Sequence, residues 1–139
     1  MSAEGRPRAE NTRSGEIVEF VVETPELLRM EVTWPLPGFR SMRHRHPGME
    51  ERWEVVSGRA VVEIDGVMLE LGPGSWAVAP AGRPHLAWNL SDQPVRLVIE
   101  MRPALRWAEF VRRLFGGAED PGALLAEFAD EIELAPSAG

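Results

Sequence analysis

Between Ile17 and Met101 no apolar run grows long enough for a helix before a glycine, a proline or an Asp-Gly pair interrupts it. The runs Ile17 to Val22 and Leu27 to Trp34 are rich in β-branched and apolar residues and are split by Glu23-Thr24-Pro25, which predicts two strands and a turn. Trp34-Pro35-Leu36-Pro37-Gly38 then breaks the sheet. Between Val61 and Leu69, Asp65-Gly66 stands between two apolar runs and is the strongest short-range hairpin signal in the chain. Ser75 to Ala79, His85 to Leu90 and Val95 to Met101 supply further strands, each bounded by Pro or Gly. Short strands at this spacing predict an all-β sandwich or closed barrel, which also limits exposed sheet edges.

The flanks read differently. Residues 1–15 show no periodicity and are expected to form a disordered tail, leaving 16–103 for the barrel. After Arg102-Pro103 the period changes, since Leu105, Phe110, Val111, Leu114 and Phe115 recur at helical spacing until Gly116-Gly117. Asp120-Pro121 then supplies an N-cap and an N1 proline, followed by the stripe Leu124, Leu125, Phe128 and Ile132. The expectation for 104–134 is two α-helices packed on one outside face of the barrel.

Composition removes whole chemistries. The 139-residue chain has no Cys, no Tyr and no Lys, all 15 basic residues being Arg. Thiol nucleophiles, disulfides, thiolate metal sites and lysine Schiff bases are therefore excluded. A net charge of −7 opposes a nucleic-acid surface, and the one Arg-rich run, Arg40 to His46, alternates like a strand with one wet face. No apolar stretch approaches the roughly 20 residues of a membrane helix. Met1 to Arg8 holds no apolar signal-peptide core. The expectation is a cytoplasmic protein that binds neither nucleic acid nor membrane.

What remains for chemistry is histidine and carboxylate, and the chain has only three histidines. His44 and His46, two apart in a strand, project to one face as a bidentate clamp. A carboxylate follows at the start of the next strand, as Glu50 or Glu51, and His85 comes after a Pro-Gly turn. Imidazole with carboxylate suits first-row divalent ions. Burying four such polar groups together is costly unless an ion or dense hydrogen bonding satisfies them.

The stretch Gly38-x5-His44-x-His46-x4-Glu51-x6-Gly58, followed by Gly74-x5-Pro80-x-Gly82-x2-His85-x3-Asn89, resembles both signature motifs of the cupins. The spacer Arg59 to Pro73 is similar to that of small single-domain cupins. The resemblance covers about Ile17 to Arg102. It implies a jelly-roll β-barrel, commonly a homodimer, holding one octahedral divalent transition metal, Fe, Mn, Ni, Zn or Cu, on His44, His46, Glu51 and His85. Neighbouring Glu50 and Glu51 point to opposite faces. The six-residue count to Gly58 selects Glu51, and Trp53 and Val55 then share its face while Arg52 and Glu54 take the other.

Strand parity places Arg40, Met42, Trp53, Val55 and Ala87 in the interior, with Asn89 a further candidate for touching a ligand. The pocket is thus expected to be apolar and aromatic, with Arg40 as a cation at its mouth. That suits a small, largely apolar or aromatic metabolite bearing an anionic or enolic oxygen. The resemblance implies an enzyme, either a dioxygenase of the quercetinase type or a redox-neutral cyclase or isomerase of the polyketide-cyclase type, in which Glu51 is base as well as ligand. The rival expectation is a non-catalytic cupin that senses or sequesters a small ligand.

Overall fold

The computed structural model describes residues 5–136. Eleven strands and two helices follow in the order β1 (Arg8–Glu10), β2 (Ile17–Glu23), β3 (Leu28–Trp34), β4 (His44–Arg45), β5 (Glu50–Ser57), β6 (Ala60–Ile64), β7 (Val67–Leu71), β8 (Trp76–Ala79), β9 (His85–Asn89), β10 (Val95–Arg102), α1 (Trp107–Gly116), α2 (Pro121–Glu127) and β11 (Glu133–Leu134). They form a jelly roll of two antiparallel sheets, one ordered β1-β2-β3-β10-β5-β8 and the other β11-β4-β9-β6-β7.

Alternation along each strand decides what fills the space between the sheets. On β3, Leu28, Met30, Val32 and Trp34 are buried while Arg29, Glu31 and Thr33 are partly exposed. The central strand β10 turns Val95, Leu97, Ile99 and Met101 inward, and its register sets Ile99 opposite Met30 on one side and Trp53 on the other. The Asp65-Gly66 hairpin has both residues at positive φ, 51° and 81°, as a two-residue turn with the twist of its strands requires. Gly58 is required twice over. Its φ is +84°, and a Cβ there would sit 2.8 Å from a Val95 methyl.

The flanks depart from the sequence expectation. Residues 1–4 of the expected tail lie outside the described residues, but Arg8–Glu10 are strand β1, paired with β2 so that Ala9 faces Val18 and is buried. One buried alanine and the hydrogen bond from Phe20 N–H to the Pro7 carbonyl fasten a segment too short to show periodicity. The two helices pack on the barrel, and α1 does so through Val111 and Phe115, which are buried in the same cluster as the barrel core. Phe110, Leu124, Phe128 and Ile132 form a second cluster that locks α2 to α1. After α2 the chain returns to the barrel as β11, pairing Leu134 with His44.

Candidate metal centre

Each histidine of the chain sits where a strand begins or has just ended. His44 opens β4 directly opposite His85, the first residue of β9. His46 follows β4, and its carbonyl accepts from Gly82 N–H at 2.8 Å, so the two histidine-bearing segments are tied together through backbone. Glu51 stands near the start of β5, opposite Ala79 and Met101. Small Ala79 leaves room for the carboxylate, while Glu50 on the opposite face stays half-buried.

These four side chains converge. One donor atom from each of His44, His46, Glu51 and His85 can be chosen so that all lie within 4.8 Å of one another. Glu51 Oε1 lies 2.8 Å from His46 Nε2 and 3.1 Å from His85 Nε2. The other nitrogen of every ring is spent on a backbone carbonyl: His44 Nδ1 on Met42 at 2.5 Å, His46 Nδ1 on Glu131 at 2.9 Å, His85 Nδ1 on Arg83 at 3.1 Å. A carbonyl only accepts, so it selects the tautomer with the proton on Nδ1 and leaves Nε2 as a lone pair aimed at the centre, the outer-shell arrangement that orients metal ligands.

That arrangement also tests whether an ion fits. His46 and His85 meet an acceptor at both ring nitrogens, yet a neutral imidazole carries one N–H. A divalent cation between the Nε2 atoms and Glu51 resolves the deficit, because nitrogen lone pairs and carboxylate oxygen all become its ligands. Electrostatics agree. Burial first, then the electrostatic influence of the neighbouring His85 and His46 rings, pushes His44 down to about 4, which keeps its imidazole neutral and available. Burial pushes the Glu51 carboxyl up, but the His46 and His85 imidazoles beside it, if their Nε2 atoms carry protons when no ion is bound, outweigh burial and hold Glu51 well below the usual carboxylate range.

The centre lies in the wall of a cavity of about 610 Å³. Trp53 lines it and meets His85 edge-on at 5.0 Å between ring centres. Ala87, Met42 and Arg40 also line it, although Met42 is 66% exposed and the Arg40 guanidinium turns onto the Trp88 ring 4.8 Å away. Two expected contacts lie outside the cavity lining. Val55 is buried in the barrel core. Asn89 spends its amide on structure, Nδ2 donating to the carbonyls of Leu36 and Gln93 and Oδ1 accepting from Ser91. It staples two loops.

Three groups at the site went unread in the sequence. Trp107 on α1 packs edge-on against His46 at 4.7 Å, and its spacing to Phe110, Val111 and Leu114 is helical, so the periodicity extended back to it. Glu16 lines the cavity and accepts from Trp34 Nε1 at 3.0 Å; the parity of Val18 and Phe20, continued two residues back, turns it inward. The Glu131 carbonyl had no signal, since a backbone acceptor carries no residue identity.

Comparison with known proteins bears on fold and site together. A family profile described as "Cupin domain" matches residues 32–100, which hold all four converging side chains. A polyketide synthase CurC from Streptomyces cyaneus is 34% identical over 67 residues, 48% of this chain and 44% of that protein, so the chain matches less than half the length of that relative. Among solved structures, KdgF from Halomonas sp. superposes with a TM-score of 0.63 at 26% identity, covering 68% of this chain and 84% of that one. An RmlC-like cupin from Shewanella frigidimarina gives a TM-score of 0.67 at 21% identity over 78% and 93% of the two chains, a likeness of fold.

Proposed function

The chain belongs to the cupin superfamily, and on that premise we propose that it is a metal-dependent enzyme acting on a small, largely apolar or aromatic metabolite that carries an enolic or anionic oxygen. The observation that carries this reading is the convergence of His44, His46, Glu51 and His85 at a cavity whose lining includes Met30, Val32, Phe39, Trp53, Trp107 and Phe110 beside a few polar groups, Glu16 and Arg13 among them. Apolar walls with a few convergent polar groups are the usual build of a small-molecule site. The partial match to a protein named as a polyketide synthase supports an oxygen-rich, partly aromatic substrate.

His44, His46, Glu51 and His85 would hold the ion. A divalent ion so held supplies concentrated positive charge that stabilises a developing enolate or phenolate oxygen. The chain does the rest. The tryptophan and phenylalanine rings take up the apolar body of the substrate and exclude water, and the carbonyls of Met42, Arg83 and Glu131 keep the histidine rings from turning. Glu51 would serve as a ligand and, as the resemblance implies, as a base. Two guanidinium groups line the cavity, Arg13 and Arg40, the latter over the Trp88 ring at 4.8 Å.

The test is turnover of a panel of aromatic and enolisable polyketide-type compounds by protein reconstituted separately with Zn, Fe, Mn, Ni and Cu, with and without oxygen. A redox-neutral cyclase or isomerase turns over anaerobically, whereas a dioxygenase stops. Compounds bound but recovered unaltered with every metal would overturn the enzyme reading in favour of a binding protein.

A further inference from the structure

Glu16 is a carboxyl inside the cavity to which the metal centre assigns no task. It is presented by a fixed turn: Asn11 Oδ1 accepts from the N–H groups of Arg13 and Ser14, Gly15 N–H bonds the Asn11 carbonyl at 2.9 Å, and Asn11 N–H bonds the Glu16 carbonyl at 2.8 Å. The turn is braced from above, where Thr12 N–H meets the Phe115 carbonyl at the end of α1. Continuing the inward parity of Val18 and Phe20, the side chain enters the cavity beside Trp34, whose ring stacks on Phe39 at 5.2 Å. Trp34 Nε1 donates to Oε2, and among the described residues no donor reaches Oε1 and no arginine pairs with the group. One oxygen is fixed and the other is free.

We infer, resting on the reading of this cavity as a metal-dependent active site, that Glu16 is its acid–base catalytic residue, exchanging a proton through Oε1 with a substrate lying between it and the His44, His46, Glu51 and His85 set.

The charged and titratable groups that line the same cavity are Arg13 before β2, Arg40, His44 on β4, Glu51 on β5 and His85 on β9. Burial pushes the Glu16 carboxyl up, the Trp34 N–H partly opposes it, and the negative charge of Glu51 adds to it, leaving Glu16 at about 7. Such a group holds both protonation states near neutrality, which suits proton transfer. With no Cys, Tyr or Lys in the chain, the other side chains able to carry a proton in this cavity are already engaged with the metal set. The step balances without an oxidant. A proton leaves the carbon next to the substrate carbonyl for Glu16 Oε1, the C–H electron pair passes into the enolate, and the same proton is returned to carbon or oxygen of the product.

The test uses the full chain and its Glu16→Gln variant, in which the amide oxygen still accepts from Trp34. Isotope-edited NMR of the glutamate carboxyl carbons should show one group titrating near 7 in metal-free protein, absent from the variant, and moving to lower pH when zinc is loaded, since a nearby cation favours the carboxylate. A carboxyl that merely satisfies Trp34 at a distance from the centre would not respond to zinc, and that result overturns the proposal. The second measurement follows exchange of the α-protons of phenacyl alcohol, a chelating and enolisable aromatic hydroxyketone, in deuterium oxide. Zinc-loaded wild type should exchange them roughly 100-fold or more faster than zinc-loaded Glu16→Gln at equal zinc content. Equal rates above the buffer rate would overturn the role of Glu16 alone, while no exchange by wild type would overturn the metal-enzyme reading and with it this inference.

Discussion

Glu50 and Glu51 are adjacent, chemically identical and opposite in consequence. A strand alternates its faces, so only Glu51 reaches His46 and His85. Glu51→Gln should therefore weaken metal binding by more than the 10–100-fold typical of losing a partner that only supports a ligand, whereas Glu50→Gln leaves occupancy unchanged. Elemental analysis after dialysis against limiting zinc compares them, and full occupancy in Glu51→Gln would remove that residue from the ligand set. The same alternation applied to β2 points to Glu16. In the sequence alone, a carboxyl preceding two apolar inward positions is indistinguishable from the end of a solvated tail, and the Trp34 indole that partners it comes from another strand.

At the scale of elements, the strands between Ile17 and Met101 and the two helices follow directly from their sequence, while β1 and β11 do not. Apolar periodicity says that α1 must bury a stripe, without saying against what. In the structure the stripe meets the barrel core through Val111 and Phe115, and the return of the chain to β11 carries the Glu131 carbonyl to His46. Phe128 is fully buried and holds α2 against Phe110, their rings 5.3 Å apart. Phe128→Ala should lower stability by about 3–5 kcal/mol. It should also weaken metal binding, because the segment that orients His46 is released. Urea unfolding and zinc titration check the two effects, and a variant that loses stability while binding zinc as wild type does would separate the helices from the metal centre.

For the molecule as a whole, metal and proton binding are linked to folding. Zinc at a hundred times its Kd should add about 2.7 kcal/mol, raising Tm by roughly 10 °C, reversed by a chelator. His44 and Glu16 give the metal-free protein opposing pH slopes, and the lowered carboxyls of Glu51 and Glu100 add to the loss at the acid end. His44 is lowered to about 4 from 6.5, so as pH falls from 6.5 to 4 the unfolded chain takes up a proton that the folded one refuses, and stability declines. Glu16 is raised to about 7 from 4.5, so between those values the folded state binds the extra proton and stability declines as pH rises. Glu16→Gln removes the second slope. Its metal-free form should lose urea resistance steadily from pH 6.5 to 4, and a flat profile would contradict the burial of a neutral His44.

The sequence by itself determined the barrel strands between Ile17 and Met101, the hairpin at Asp65-Gly66 and the candidate ligands, because period-two alternation and motif spacing are local properties that survive without knowledge of the partner surface; β1 and β11 carry no such pattern. Only the tertiary structure decided that the C-terminal helices roof the cavity, that Asn89 and Val55 serve structure, and that Glu16 and Trp107 join the site. Those assignments depend on which surfaces meet across the barrel. The contact of Trp107 with His46 spans 61 positions of sequence, and no local pattern records a neighbour at that distance.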